Sequence, residues 1–320
     1  MTYTKGLHDL GNGCHAWLQP DGGWGLSNSG LIVGAGSSLM VDTLFDLATT
    51  AEMLAAIRSH TARAPLTTVV NTHSDGDHWF GNQLVASPGV EIVASEAAAT
   101  LMTQHAIDEL AALPNAEGRV GQYMTTALAP FRFDDITAVA PTRTFGGRLS
   151  VDVGGREVLL IEVGPAHTVG DVLVHVPDAN LLYAGDILFI DSTPIVWAGP
   201  PQRWIDACDL LLDMPLATIV PGHGPVTDKT GVAQVRDYLT FVVTEATKRY
   251  NDGLDAATAA ASINLGTFAG MSGRGRLVQN VAAVYHALDP QLPQQPLLSI
   301  FDEIAAMESI GTSTATAGEL

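Results

Sequence analysis

Short apolar runs punctuated by glycine fill the first part of the chain. Between His15 and Phe45 they read CHAWLQP, DGGWGLSN, SGLIVGAG and SSLMVDT. Such runs, bounded by turn residues, are typical of β-strands, so the pattern predicts an antiparallel meander of three strands. The spacing of apolar residues then becomes helical over residues 51–60, and the run LTTVVNTH predicts a buried strand after that helix.

Strands and helices alternate irregularly along the rest of the chain. A strand at 90–95 precedes helical spacing over residues 96–135, and strands return between residues 145 and 189. The pattern is helical again from about residue 226 to 286. This order predicts an α/β protein in which two layers of sheet are covered by helices, rather than a regular βαβ array.

Composition and charge exclude several classes of protein. The chain has 320 residues, of which 47% are hydrophobic and 15% charged, so it can bury a large core and is not intrinsically disordered. Against 34 acidic residues stand 15 basic ones, a formal charge of −19. This field repels nucleic acid and anionic lipid headgroups, so we expect neither nucleic acid nor a membrane as a partner.

The cysteines and the apolar segments indicate a compartment. Cys14 and Cys208 lie too far apart in sequence for a Cys-x-x-Cys site, and two cysteines form no disulfide framework. The first thirty residues lack the basic start and apolar run of a secretion signal, and no stretch approaches eighteen uninterrupted apolar residues. We therefore expect a cytoplasmic protein.

The segment NTHSDGDHWFGN holds the densest candidate chemistry. It places His73, Asp75, Asp77 and His78 at the end of an apolar strand. His73 and Asp75 are two residues apart, so in an extended chain both can reach one metal ion, and a turn at Gly76 can direct Asp77 and His78 to a second. The alternative is a helix start in which Asp75 or Asp77 is the N-cap and the histidines are polar loop residues.

Three further candidates each follow an apolar strand. They are His167 after VLLIEVGPA, Asp186 after LLYAG and His223 after ATIVPG. Singly, each is typical of a turn or loop. Together with the first segment they supply the mixture of imidazoles and carboxylates that a pair of divalent ions needs, including a carboxylate able to bridge them.

At this point the chain resembles the metallo-β-lactamase superfamily. The resemblance covers about residues 14 to 228 and rests on VDT at Asp42, THSDGDHWFGN, GPAHTVGD, YAGD and PGHG. It implies an αβ/βα sandwich of two mixed sheets flanked by helices, with helical additions. In this scheme residues 1–228 form the metallo-β-lactamase-like domain, with a helical insertion at about 96–135. Residues 229–320 form a C-terminal helical extension packed on the same domain.

The resemblance also implies two metal sites. A first ion would be held by His73, Asp75 and His167, and a second by Asp77, His78 and His223, with Asp186 bridging. The family usually has histidine where this chain has Asp75. An oxygen donor here lowers the Lewis acidity of the ion and moves the preference toward harder ions such as manganese or iron, but zinc stays the expected metal. A decayed first site is the other interpretation.

These sites imply a metal-dependent hydrolase of an ester, lactone or thioester that acts through a metal-bound hydroxide, with Asp77 as the residue that accepts or relays a proton. One alternative is an aromatic polyketide cyclase or thioesterase of the same fold, which THSDGDHWFGNQL also resembles. Another is a non-catalytic ligand-binding relative whose first metal site is degraded. Homodimer formation is left open.

The sequence does not identify substrate-binding residues. Aromatic residues and methionines in 96–135 and 230–288 are expected mostly in the core, but any that face the metals would favour a small-molecule acyl substrate that is large and apolar. Arg274 and Arg276 fit a solvated helix start, or contact with an anionic substrate.

Overall fold

Two β-sheets pack face to face in the computed structural model, which describes residues 3–315 and the side chains of residues 3–309. The first sheet has seven strands in chain order: β1 (Gly6–Gly11), β2 (Cys14–Leu18), β3 (Ser29–Val33), β4 (Ser38–Val41), β5 (Leu66–Val70), β6 (Glu91–Ser95) and β7 (Arg143–Phe145). The second has five: β8 (Arg148–Val153), β9 (Arg156–Glu162), β10 (Val172–Val176), β11 (Leu181–Tyr183) and β12 (Thr218–Val220).

Both sheets are mixed. Strands β1 to β4 pair antiparallel, and β4 to β7 pair parallel. In the second sheet only β11 and β12 are parallel. The predicted three-strand meander is confirmed as β2, β3 and β4. Strand β1 was not predicted, because its segment GLHDLG is half polar and gives only weak alternation.

Within the described residues the chain forms nine α-helices: α1 (Leu47–Thr61), α2 (Glu96–Ala99), α3 (Gln104–Ala112), α4 (Gly118–Ala127), α5 (Pro201–Asp213), α6 (Lys229–Asn251), α7 (Ala256–Ser262), α8 (Leu277–Leu288) and α9 (Leu297–Ala315). Helix α1 begins four residues before the predicted 51–60 segment, because Asp46 caps it by accepting from the amide of Thr49 at 2.8 Å. The helical stretch predicted up to residue 286 is interrupted after α6, where Gly253 adopts a positive φ of 79°.

The core lies in three layers that explain the order of the elements. Val70 of the first sheet and Val174 of the second belong to one buried cluster between the sheets. On the outer face of the first sheet, Met53 of α1 packs with Val69, and on the outer face of the second, Trp204 of α5 belongs to the large helical core. Each fully buried aliphatic side chain stabilises the fold by about 1.5–3 kcal/mol. The predicted α/β sandwich of two sheets flanked by helices is confirmed.

The helical additions lie where the sequence pattern placed helices. Helices α2, α3 and α4 fall within residues 96–135, and α6 to α9 follow residue 228. The division into units of 1–228 and 229–320 stays a prediction. Among residues 3–315, no helix combines the length and the apolar character needed to cross a bilayer, and the cytoplasmic location also stays a prediction.

Candidate metal centre

The seven candidate ligands lie together at the ends of strands. His73 follows β5, and Asp75 immediately precedes the short 3-10 turn Gly76–His78, which contains Asp77 and His78. His167 lies in the loop between β9 and β10, Asp186 in the 3-10 turn after β11, and His223 after β12. Both sheets therefore contribute side chains to one place.

Three of these residues form what we call the first triad: His73, Asp75 and His167. Oδ2 of Asp75 lies 3.2 Å from Nε2 of His167 and 4.0 Å from Nε2 of His73. Two donors on one zinc ion, each with a bond of about 2.0–2.2 Å, can lie at most about 4.4 Å apart. These distances therefore suit a shared ion.

Another three form the second triad: Asp77, His78 and His223. Oδ2 of Asp77 lies 3.3 Å from Nε2 of His223 and 3.8 Å from Nε2 of His78. The ring centroids of His78 and His223 are 5.8 Å apart. The two distances from Asp77 fall within the same limit for a shared ion.

Asp186 lies between the two triads. Its Oδ2 is 3.4 Å from Nε2 of His167 and 3.3 Å from Nε2 of His223, and its Oδ1 is 3.1 Å from Nε2 of His78. A carboxylate that reaches histidines of both triads has the position of a bridging ligand. Glycine is required at position 222, because a Cβ there would clash with Oδ1 of Asp186.

Hydrogen bonds behind the triads orient three of the four rings. Nδ1 of His78 donates to Asp42 at 2.8 Å, Nδ1 of His167 to the carbonyl of Ile195 at 2.7 Å, and Nδ1 of His73 to the hydroxyl of Thr72 at 3.0 Å. Metal-binding histidines usually donate their second ring N–H in this way, which leaves Nε2 as the ligand atom.

Unpaired buried atoms face the space between the triads. Nε2 of His73, Nε2 of His78 and Oδ1 of Asp186 are buried and have no hydrogen-bond partner. Buried polar atoms are rarely left unpaired in folded proteins, so unpaired ones at a cluster of ligand-type groups call for an ion. The residues present therefore fit a centre of two divalent cations.

The electrostatics of the site separate His73 from the other histidines. Burial, with the charge of His78, lowers the pKa of His73 to about 3. Burial acts in the same direction on His167, but the hydrogen bond and charge of Asp75 outweigh it and raise its pKa to about 9. Asp186 and Asp77 likewise overcome burial and raise the pKa of His78 and of His223.

These shifts predict proton release on metal binding. In the metal-free protein the raised pKa of His78, of His167 and of His223 favours the protonated ring, whereas the lowered pKa of His73 favours the neutral one. A ligating nitrogen must be free of its proton, so metal binding should release protons from the rings whose pKa is raised. Affinity should rise with pH until it passes the raised pKa values, near 9 for His167, and fall in acid. Zinc titration by calorimetry in buffers of different ionisation enthalpy measures this release, and a pH-independent affinity would contradict the assignment.

The side chain of Asp75 does not cap the turn that follows it. It precedes the turn Gly76–His78, but its side chain makes no capping hydrogen bond. Its Oδ2 instead accepts from the indole Nε1 of Trp197 at 3.0 Å. The backbone amide of Trp197 also donates to the carbonyl of His167 at 2.9 Å. Trp197 thus holds two members of the first triad together.

Replacing Trp197 with phenylalanine is expected to weaken metal binding at the first triad by about tenfold, because loss of a hydrogen bond behind a ligand costs about 10–100-fold in affinity. The second triad should keep its ion. The matched control is Trp24→Phe, which removes an indole N–H that donates to Tyr123 and contacts no ligand. Competition with a chromogenic zinc chelator measures both affinities. Equal affinities in both variants would show that Trp197 does not position Asp75.

The structure adds residues to which the sequence assigned no role. Asp42 was recognised only as part of a motif, and it lies directly behind His78 and accepts from the amide of Thr72 at 2.6 Å. No sequence signal marks Ile195 or Trp197. The expectation of a solvated helix start is wrong for Arg276, which is 3% exposed and lies 4.3 Å from the ring centroid of Trp24.

Comparisons with known proteins agree with this geometry. The family model of the metallo-β-lactamase superfamily matches residues 22–223, more than half of the chain. The alpha subunit of 2,4-dinitroanisole O-demethylase from Nocardioides sp. is 27% identical over 191 residues, which cover 58% of this chain and 48% of that subunit. The acyl-coenzyme A thioesterase MBLAC2 from Bos taurus is 23% identical over 216 residues, 62% of this chain and 72% of that enzyme.

Solved structures show the same fold. The sec-alkylsulfatase Pisa1 from Pseudomonas sp. aligns with a TM-score of 0.70 and 22% identity, over 91% of this chain and 52% of its own. A metallo-β-lactamase from Pontibacter korlensis aligns with a TM-score of 0.55 and 20% identity, over 73% of this chain and 98% of its own. The chain spans about half the length of the demethylase subunit and of the sulfatase.

Proposed function

This chain belongs to the metallo-β-lactamase superfamily, a superfamily of metallo-hydrolases, and we propose that it hydrolyses an ester, lactone or thioester. The observation that carries the proposal is the pair of triads on either side of Asp186, with buried unpaired ligand atoms between them. Divalent ions held there would lower the pKa of water toward neutrality and polarise the substrate carbonyl. The similarity to a bovine acyl-coenzyme A thioesterase supports a thioester as one candidate substrate.

We assign the first ion to the first triad, the second ion to the second triad and the bridge to Asp186. Four imidazoles favour zinc, while Asp75 and Asp77 add oxygen donors that also suit manganese or iron. Asp77 would orient the reaction centre. Its pKa is held low, because the charge of His78 and the hydrogen bond of His223 outweigh the effect of burial, so the carboxylate is ionised and available to an ion. We propose that Asp77 orients the attacking water or relays its proton.

The leaving group limits the reaction. An amide needs a general acid to protonate the departing nitrogen, and no side chain beside the triads has been assigned that role. A thiolate or an activated alkoxide leaves with little protonation. The proposal therefore ranks thioesters, esters and lactones above amides.

The proposed partner is a small-molecule acyl substrate with a large apolar part. The formal charge of −19 disfavours nucleic acid and anionic membranes. A cytoplasmic location stays a prediction, and homodimer formation stays open.

The test of this function is an activity screen on protein whose metal content has been measured. Thioesters, esters, lactones and phosphodiesters should be offered to samples loaded with zinc, manganese or iron. The proposal expects about two ions per chain and turnover of at least one acyl substrate. Metal-loaded protein that hydrolyses only phosphodiesters would contradict it.

The other hypotheses have distinct outcomes in the same experiment. A non-catalytic relative with a degraded first site would retain no metal after purification without chelator, or would bind ions without turnover. A polyketide cyclase would convert a poly-β-ketone thioester to a ring faster than to a free acid. Both stay alternatives to the hydrolase.

A further inference from the structure

An apolar cavity of about 230 Å³ opens at the metal centre. Asp75 of the first triad and Asp77 of the second both line it. Its walls are mostly apolar and aromatic, and they include Trp24, Trp197 and Phe301. A compound that fills this space therefore lies beside both triads.

Hydrogen bonds and ring packing hold the walls of the cavity in place. The indole of Trp24 donates to the hydroxyl of Tyr123 at 2.7 Å. The buried guanidinium of Arg276 lies 4.3 Å from the centroid of the Trp24 ring. Phe301 packs against both tryptophans: its ring centroid lies 5.7 Å from that of Trp24 and 6.1 Å from that of Trp197. A pocket with such fixed walls is preformed, so its size limits what it accepts.

Charge restricts the occupant to a neutral group. Apart from Asp75 and Asp77, the one charged side chain lining the described cavity is Glu109, which is exposed on α3. No basic side chain of the described residues lines it. Asp75 and Asp77 are assigned to the ions, so an anionic chain in the rest of the cavity would meet the carboxylate of Glu109 and no basic partner, and burying such a charge is costly.

Volume and chemistry then define the substrate class. A cavity of about 150 Å³ accommodates benzene, with six heavy atoms, so this one has room for about nine. When the acyl bond breaks, the oxygen or sulfur of the leaving group gains negative charge and needs water or a proton donor. An apolar pocket offers neither, so the acyl half of the substrate fits it better than the leaving group. We infer that this cavity binds the neutral, apolar acyl group of the substrate, a chain or substituted ring of about nine carbon atoms, with the reacting carbonyl between Asp75 and Asp77. The inference rests on the proposed function.

The test uses neutral thioesters of N-acetylcysteamine with straight acyl chains of two to fourteen carbons. For the wild-type protein, kcat/KM should rise by about fourfold per methylene and stop rising near nine carbons, since each buried methylene contributes a constant increment. Ala106, half-buried on α3, lines the cavity, so Ala106→Phe should move the optimum to about four carbons. Turnover of the acetyl thioester should fall much less than that of the nonanoyl thioester. The control is His105→Phe, which adds an aromatic ring at an exposed position outside the cavity.

A binding measurement separates this inference from the proposed hydrolysis. The protein is titrated with 2-nonanone, a neutral ketone that cannot be hydrolysed, and its tryptophan fluorescence is followed, to which Trp24 and Trp197 in the cavity wall contribute. Saturable quenching that weakens at least fivefold in Ala106→Phe but not in His105→Phe supports the pocket even if no thioester is cleaved. Acetyl thioester turnover without dependence on chain length, or an equal loss at all lengths in Ala106→Phe, overturns the inference and leaves the hydrolase standing.

Discussion

Replacing Asp75 with alanine is expected to remove about one metal equivalent per chain and to lower turnover by at least about a hundredfold. Its Oδ2 lies within 4.0 Å of Nε2 of both His73 and His167, so the substitution leaves the first triad with two imidazoles. Loss of a group behind a ligand costs about 10–100-fold in metal affinity, and loss of the ligand itself should cost at least the upper end of that range. Metal analysis after gel filtration, together with kcat/KM on the best acyl substrate, measures both effects.

Two further variants at this position separate the role of the ligand from that of the hydrogen bond. Asp75→Asn keeps an acceptor for the indole of Trp197 but removes the charge, so it should retain the thermal midpoint and still lose metal. In Asp75→His the second ring nitrogen carries a proton and faces the indole N–H of Trp197, so two donors meet without an acceptor. Zinc affinity should therefore exceed that of Asp75→Ala but reach its full value only when Trp197→Phe is made in the same chain. Unchanged metal content and turnover in Asp75→Ala would show that Asp75 is not a ligand. The active metal centre would then consist of the second triad and Asp186.

Replacing Asp186 with asparagine should weaken both metal sites, by about a hundredfold each, and abolish measurable turnover. Its two oxygens lie 3.1–3.4 Å from Nε2 of His78, His167 and His223, so one substitution reaches both triads. In the metal-free protein the pKa of His78 and of His223 should also fall, because Asp186 is the largest contribution that raises each against burial.

Calorimetric zinc titration and NMR titration of the histidine rings measure these two effects. The control is Asp191→Asn, which changes an exposed carboxylate whose left-handed φ of 63° asparagine tolerates. If Asp186→Asn keeps two tightly bound ions, Asp186 does not bridge the triads.

Local sequence pattern was sufficient for the layers of the fold. Alternating apolar runs predicted β2, β3 and β4, because a strand with one buried face repeats every two residues. The same reasoning missed β1, whose side chains are only partly buried, and extended β11 as far as residue 189, although the strand ends at Tyr183. After Tyr183 the chain forms the 3-10 turn that contains Asp186, close to the histidines. The residues around this turn are apolar like those of the strand, so the sequence pattern does not show where the strand ends.

The sequence by itself determined which donors this protein has and that they follow strands: His73, Asp75, Asp77 and His78 in one segment, and His167, Asp186 and His223 in three others. Only the tertiary structure decided how they are used. Trp197 meets Asp75 across 122 residues of chain, and the cavity takes its walls from Trp24, Met124, Trp197 and Phe301, which lie in four separate segments. The periodicity of apolar residues shows which face of a strand or helix is buried. It does not show which distant segments pack against that face, and the contacts of Trp197 and of the cavity depend on how the sheets, the helices within residues 96–135 and the C-terminal helices pack together.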